Sequence, residues 1–442
     1  MPRLFGTDGV RGVANRDLTP DLVLALGRAA GAVLAPNGGE IVVGRDTRLS
    51  GPMLEAALVA GLSSAGVDVA LTGVLPTPAV AYFTVARGAR GGAMISASHN
   101  PVPDNGVKFF SCDGLKTSTA TEDAIEKEME DGSRELPTGD ALGHIVSLKE
   151  AESSYVERLL ASTGADLRGL KLVVDCAFGA AYAVGPQVFR AAGAEVIAMN
   201  DEPDGARINV NCGSTSLAGV ASRVVEEKAD LGLAFDGDAD RVLAVDESGH
   251  EVDGDRILGL TALRLKEQRA LDGDLVVVTV MSNLGFIKAL EAHGIEVRAA
   301  PVGDKFVAEA MRDTGAVLGG EQSGHFIFSH HATTGDGVLA GLQVACALKS
   351  GGAPLSRLAD FFDSYPQVLI SVPVRRREGL DEARDLWDEV AEIEKALGDE
   401  GRVVLRASGT EPVVRVMVEA SAEADARRAA ERLAEATRRA LG

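Results

Sequence analysis

The chain has 442 residues, 46% hydrophobic and 25% charged, an ordinary globular balance with room for roughly two to four domains. Its 44 Lys and Arg against 65 Asp and Glu leave a net charge of −21, which excludes a general nucleic-acid binder, because phosphate neutralisation needs a basic surface. No apolar run reaches the ~18–20 residues that span a bilayer. The opening MPRLFGTDGVRG reads as neither a signal peptide nor an amphipathic anchor. The expectation is therefore a cytoplasmic protein with no nucleic-acid or membrane partner. Cys112, Cys176, Cys212 and Cys346 lie far apart without a CxxC pair, which argues against zinc or a disulfide framework.

In chain order, one pattern recurs three times. The first copy is Ile41-Val42-Val43, a helical stretch from Met53 to Ala65, Gly66, then Val67-Asp68-Val69. The second is Leu172-Val173-Val174, a helical stretch, Gly193, then Val196-Ile197-Ala198. The third is Leu275 to Val280, a helical stretch, Gly294, then Ile295-Glu296-Val297. Short β-rich runs alternating with amphipathic helices predict mainly parallel sheets covered by helices. In each copy a further strand of small residues runs into a polar loop: Gly92–Ile95 into SASHNP, Leu231–Phe235 into DGDADR, Ala316–Gly320 into EQSGH. Ligands bind at the carboxyl ends of such strands, so three related units present three different loops from equivalent places. After about Tyr365 the pattern changes. Val368–Val372, a charged helix, Arg402–Leu405, Val413–Val418 and a final Ala/Glu/Arg-rich helix predict an antiparallel α+β unit. The expected fold is three tandem related α/β domains with mixed, mainly parallel sheets, then a smaller α+β C-terminal domain. The expected bounds are 1–150, 151–253, 254–366 and 367–442.

The acidic loop Asp236-Gly237-Asp238-Ala239-Asp240-Arg241 is the strongest chemical signal. Carboxylates at i, i+2 and i+4 repel one another unless a cation sits among them, and hard oxygen ligands suit Mg²⁺. An EF-hand opens similarly, and Glu247 stands at its twelfth position. Arg241 replaces the glycine of its sixth position, however, and Val242–Val245 reads as a strand. In Ser96-Ala97-Ser98-His99-Asn100-Pro101, a serine on a strand-to-loop turn can be a nucleophile. GxSxG is absent, so phosphoryl transfer is the better functional reading than acyl transfer; taken alone, the loop reads more simply as a capped turn. His99 is expected to be poorly placed as a base, because neighbouring side chains usually diverge. Glu321, Ser323 and His325 form a set suited to sugar hydroxyls. Arg406-Ala407-Ser408-Gly409-Thr410-Glu411-Pro412, with Arg415 beyond, suits a phosphate cradle or a hairpin turn. Arg11 and Lys108 read, alone, as solvated surface charges. No GxGxxG or Walker A pattern is present.

Together, FGTDGVRG, ISASHNP, DGDADR, GEQSGH and RASGTEP, in this order and over nearly the whole chain, resemble the α-D-phosphohexomutase superfamily. Gln322 within GEQSGH, and FGTDGVRG, resemble its hexosamine-phosphate branch. The resemblance implies a mutase that interconverts glucosamine 6-phosphate and glucosamine 1-phosphate, supplying amino-sugar and cell-wall precursors. The alternatives are a phosphomannomutase/phosphoglucomutase or a non-catalytic sugar-phosphate-binding regulator. It further implies phosphorylation of Ser98, with Mg²⁺ held by Ser98, Asp236, Asp238 and Asp240 and glucosamine 1,6-bisphosphate as intermediate and activator. Arg11 and Lys108, with Arg241, would surround the transferring group. Glu321, Ser323 and His325 would bind the sugar, and Arg406, Ser408, Gly409, Thr410 and Arg415 the non-reacting phosphate. The one departure is Ala407, where many members carry Pro or Lys, which implies a looser loop. A homodimer accords with the branch, although no segment marks an interface.

Overall fold

The structure, a computed structural model, describes residues 3–6, 8–132, 135–408 and 412–442, with the backbone alone at 378. The first unit runs β1 (Val10–Val13), α1 (Pro20–Leu34), β2 (Glu40–Arg45), α2 (Gly51–Ser64), β3 (Asp68–Val74), α3 (Thr77–Ala86), β4 (Gly91–Ile95), β5 (Asp104–Ser111), α4 (Thr119–Asp131) and β6 (Ile145–Ser147). The second runs α5 (Ala151–Thr163), β7 (Lys171–Asp175), α6 (Val184–Ala191), β8 (Glu195–Met199), α7 (Ala218–Glu227), β9 (Leu231–Phe235), β10 (Val242–Asp246) and β11 (Glu251–Val252). The third runs α8 (Gly254–Glu267), β12 (Leu275–Thr279), α9 (Leu284–Ala292), β13 (Glu296–Ala300), α10 (Asp304–Thr314), β14 (Leu318–Gly320), β15 (Phe326–Phe328), α11 (Gly337–Gly351) and α12 (Leu355–Leu358). The last has β16 (Gln367–Pro373), α13 (Arg384–Leu397), β17 (Gly401–Ala407), β18 (Val413–Ala420) and α14 (Glu423–Leu441).

The repeat is visible in strand order. The first sheet contains β3-β2-β4-β5, the second β8-β7-β9-β10, the third β13-β12-β14-β15. In each, three parallel strands are followed by one antiparallel strand. Each polar loop therefore joins the last parallel strand to its antiparallel neighbour, at the same corner of each sheet. The last unit is an antiparallel sheet in the order β16-β18-β17. β10 follows the acidic loop directly and pairs with β9, which removes the EF-hand alternative, and Glu247 instead accepts from Ser356.

Alternation along the strands sorts the core. Val42, Leu172, Val174, Val276 and Val278 face one cluster shared by the first three units. Ile41 and Val43, Val173, and Val277 face three separate clusters on the other sides of the sheets. The period of two thus gives every sheet one common and one private face. Residues Gly337 to Leu348 of α11 are buried without interruption, the pattern of a helix enclosed on all sides. The last unit has its own core. It meets the third through Glu419 on β18, which accepts from the Leu284 N–H at 3.2 Å. Arg402 adds contacts to the Ser282 carbonyl and to Glu419.

Candidate active site

Ser98 sits at the end of β4 with a left-handed backbone, φ 53°. This turn aims its hydroxyl across to the second unit, where it donates to Asp236 Oδ2 at 2.6 Å. It also brings Ser98 Oγ within 3.1 Å of His99 Nδ1. The expected divergence of these two side chains is therefore wrong, because the positive φ rotates them toward one another. Burial within the cleft, with Arg241 and Arg11 beside it, pushes the His99 imidazole down to about 4. Ser96, given no role from the sequence, accepts the Ser98 N–H at 2.9 Å.

Asp236, Asp238 and Asp240 are buried, and their oxygens approach within 4.8 Å of one another. Lys108 reaches them from β5, which pairs antiparallel with β4. Its Nζ lies 2.8 Å from Asp238, 3.2 Å from Asp8 and 3.7 Å from Asp240. Only 2% of Lys108 is exposed, so it is no surface charge. Burial opposes its charge, but Asp238, Asp8 and Asp240 outweigh that and hold the ammonium above its usual range. Burial would likewise raise Asp238, yet Lys108 holds it below the ordinary carboxylate range. Burial, with Asp240 and Asp238 close by, keeps Asp236 well above that range. Lys108 takes Oδ2 of Asp238, and Thr77 donates to the same atom at 2.6 Å. Among the described residues, Oδ1 of Asp238 and Oδ1 of Asp240 are buried without hydrogen-bond partners. A hard divalent cation fits this donor set: three buried carboxyl groups within reach of one another, oxygen donors throughout.

Arg11, on β1, pairs with Asp8 and donates to the Ala97 carbonyl at 3.2 Å and to Asn100 at 3.3 Å. Arg241 lies within 3.9 Å of Asp240, its Nε buried without a hydrogen-bond partner among the described residues. In the sugar-type loop, Glu321 accepts from the Gly303 N–H at 3.0 Å. His325 is 1% exposed, with neither ring nitrogen hydrogen-bonded among the described residues and Nε2 3.5 Å from Asp304. Ser323 is exposed at the loop tip. The loops of the second and third units join through a bridge between Arg241 and His325 and a 3.0 Å bond from the Val242 N–H to the Gly324 carbonyl. Two further joints are backbone on backbone. A Cβ at Gly237 would lie 2.6 Å from the Ser98 carbonyl, and one at Gly337 2.3 Å from the Arg241 carbonyl.

In the last unit Arg406 and Arg415 stand directly opposite on β17 and β18. Burial and the Arg415 charge lower Arg406, whose Nε has no hydrogen-bond partner among the described residues. Like charges opposite one another destabilise a sheet, so the pair suits an anion. The Ser408 carbonyl accepts from Arg377 at 2.9 Å. Gly409 and Thr410 lie outside the described residues.

Ser98, Arg11, Lys108, Asp236, Asp238, Asp240 and Arg241 thus converge, with His325 and Glu321 alongside. Sequence reasoning missed Asp8, Lys116 and Asp304. Lys116 bonds both acids and so ties the first unit to the third. Asp8 stands inside the quoted FGTDGVRG, which was the available signal; Lys116 and Asp304 had none.

The chain matches the Phosphoglucomutase/phosphomannomutase family in all four of its parts: alpha/beta/alpha domain I at 2–135, domain II at 153–249, domain III at 253–365 and the C-terminal domain at 369–436. It is 53% identical to a phosphoglucosamine mutase of Streptomyces avermitilis, with all of both chains covered. It is 52% identical to one of Mycolicibacterium smegmatis, over 98% of this chain and 99% of that one. A phosphoglucomutase/phosphomannomutase family protein of Burkholderia thailandensis superposes with TM-score 0.84 at 27% identity, over 99% of this chain and 97% of that one. An N-acetylphosphoglucosamine mutase of Aspergillus fumigatus, solved with GlcNAc-6P and magnesium, shares the fold with TM-score 0.71 at 19% identity, over 99% and 96% of the two chains. With the four parts in order and half the residues shared end to end, the chain belongs to the phosphoglucosamine mutases of the phosphoglucomutase/phosphomannomutase family.

Proposed function

We propose that the chain interconverts glucosamine 6-phosphate and glucosamine 1-phosphate through phosphoserine at Ser98 and a bound glucosamine 1,6-bisphosphate. The observation that carries this reading is Ser98 Oγ bonded to Asp236 inside a buried set of three carboxylates. The metal is Mg²⁺, held by Asp236, Asp238, Asp240 and Ser98. It supplies positive charge against the charge that develops on the transferring phosphoryl group.

The chain's own residues do the rest. Phosphoryl transfer is largely positioning and charge neutralisation. The bond from Ser98 Oγ to phosphorus breaks as a sugar hydroxyl oxygen bonds phosphorus, and the bisphosphate later returns its other phosphoryl group to Oγ. Between the two steps Asp236 accepts the Ser98 hydroxyl and keeps it aimed into the cleft. Arg11, Lys108 and Arg241 neutralise the phosphoryl oxygens. Glu321, Ser323 and His325 read the sugar hydroxyls. Arg406, Ser408, Gly409, Thr410 and Arg415 grip the non-reacting phosphate, so the sugar can turn around without leaving. Closure of the last unit over the cleft protects phosphoserine from water. The proposed compartment is the cytoplasm and the proposed assembly a homodimer, both on the family resemblance.

The test is intact mass of the purified protein with a substrate panel. One phosphoryl group per chain, absent in Ser98→Ala, with turnover of glucosamine phosphates, is the expected result. Preference for mannose or glucose phosphates would overturn the substrate. An inert protein, or stoichiometric release of inorganic phosphate, would overturn the mutase reading.

A further inference from the structure

Arg48 follows β2 and is entirely buried, so it cannot touch a substrate. All five N–H bonds of its guanidinium are used. Nε donates to Asp46 Oδ2 at 3.0 Å. Nη1 donates to the carbonyls of Pro101 at 2.7 Å and Asp104 at 2.9 Å. Nη2 donates to those of Ser98 at 2.9 Å and Asn100 at 2.8 Å. Four of the five bonds thus gather carbonyls from one short stretch, starting at the nucleophile itself. Burying a guanidinium is costly unless it is paired and fully hydrogen-bonded, and here both conditions are met.

Its partner Asp46 serves the same loop from the other side. Asp46 Oδ2 accepts the Ser96 hydroxyl at 2.7 Å, and Ser96 Oγ accepts the Ser98 N–H at 2.9 Å. Asp46 Oδ1 takes the Arg48 N–H at 2.9 Å. Both backbone groups of Ser98 are therefore fixed by one buried ion pair, its carbonyl directly and its N–H through Ser96. Asn209 of the second unit adds a 2.9 Å bond to the same carbonyl. A serine at φ 53° sits in a strained conformation that persists only where its surroundings over-determine it. That conformation is what directs Oγ to Asp236.

We infer that Arg48 is a positioning residue for phosphoryl transfer at Ser98, acting with Asp46 and Ser96 to hold the left-handed backbone of the phosphoserine loop. The inference rests on reading Ser98 as the phosphoryl carrier. Misplacement of a reacting atom by about 1 Å can cost ~10²-fold in rate.

The experiment uses full-length Ser96→Ala and Arg48→Lys. Ser96→Ala removes the relay to the Ser98 N–H and leaves the five bonds of Arg48 in place. Arg48→Lys keeps the charge but offers three donors in place of five. Both are expected to lower kcat about 10–100-fold with KM for the hexosamine phosphate within two-fold of wild type, and Ser96→Ala to melt close to wild type. A merely structural role would move the melting temperature and leave this kcat-against-KM split absent. Folded variants that retain kcat within two-fold, or that lose only KM, would overturn the inference. Loading of Ser98 from glucose 1,6-bisphosphate, followed by intact mass, separates the two readings. If wild type loads but does not turn over hexosamine phosphates, the substrate reading falls, and slowed loading in both variants still supports the positioning role. Loading at the wild-type rate in both variants overturns it.

Discussion

Replacing Lys108 by methionine keeps the buried aliphatic stem and removes its charge. In the wild type Nζ faces Asp238, Asp8 and Asp240 at 2.8, 3.2 and 3.7 Å. At an effective dielectric of about 20, each contact is worth roughly 4–6 kcal/mol before the cost of burying the ammonium is subtracted. The net loss on removing one partner of such a buried pair is about 3–5 kcal/mol, because the carboxylates left behind have no water to replace it. At about 2–4 °C per kcal/mol, the first thermal transition should fall by roughly 6–20 °C in chelator. Lys108 holds Asp238 below its ordinary range, so this stabilisation is present above the unfolded carboxylate value and is lost as pH falls. The gap between variant and wild type should accordingly narrow below about pH 4. Mg²⁺ should raise the variant's transition by more than the wild type's, since added positive charge relieves the same excess of carboxylates. Thermal melts at pH 7 and pH 3, with chelator and with Mg²⁺, measure all three effects. A variant melting within 2 °C of wild type in chelator, or gaining no more from Mg²⁺ than wild type, would show that Lys108 does not offset the charge of these carboxylates.

Two further outcomes are expected. Gly335→Ala places a Cβ 2.3 Å from His325 Nε2, against a ring that no described residue holds by a hydrogen bond, so the ring must swing. The expected result is a fall in kcat/KM of about tenfold or more, with normal phosphorylation of Ser98 from bisphosphate; unchanged kcat/KM would show that His325 does not read the sugar. Burial pushes Asp255 up to about 7, although its Oδ2 accepts the Asn283 N–H. Folded Asp255 therefore keeps its proton between about pH 4 and 7 while the unfolded chain does not, so stability falls as pH rises through that window and levels off above it. Asp255→Asn should remove this slope and stabilise the protein by up to about 4 kcal/mol at pH 8, and urea melts at pH 5 and 8 with parallel behaviour in both proteins would contradict it.

The three α/β units were legible because each carries a short β-rich run followed by a glycine-stopped helix, as at Ile41–Val43 and Gly66. The polar loops were legible because acids and hydroxyls at the tip of an apolar strand break its pattern. β5 was not legible: Asp104-Asn105-Gly106 opens it with turn residues and Lys108 interrupts it, so its place beside β4 had no periodic signal. The ties of Lys116 to Asp8 and Asp304 span 108 and 188 residues, and only the packed fold brings them together. Arg48 reads as one more loop charge until the carbonyls of Ser98 to Asp104 close around it. His99 was misjudged because a left-handed serine is not visible from composition.

The joints at Gly237 and Gly337 bear on how such an enzyme can change over generations. A clash between two side chains can be relieved by a second substitution that shrinks the partner. Here the partners are the carbonyl oxygens of Ser98 and Arg241, which every amino acid carries alike. A side chain gained at either glycine therefore has no suppressor elsewhere in the chain, short of moving a whole unit. The three loops must be inherited as one fixed assembly. Room for new sugar preferences is left at positions that end in solvent, such as Ser323, and in the last unit, whose ties to the rest run through replaceable side chains such as Glu419 and Arg402.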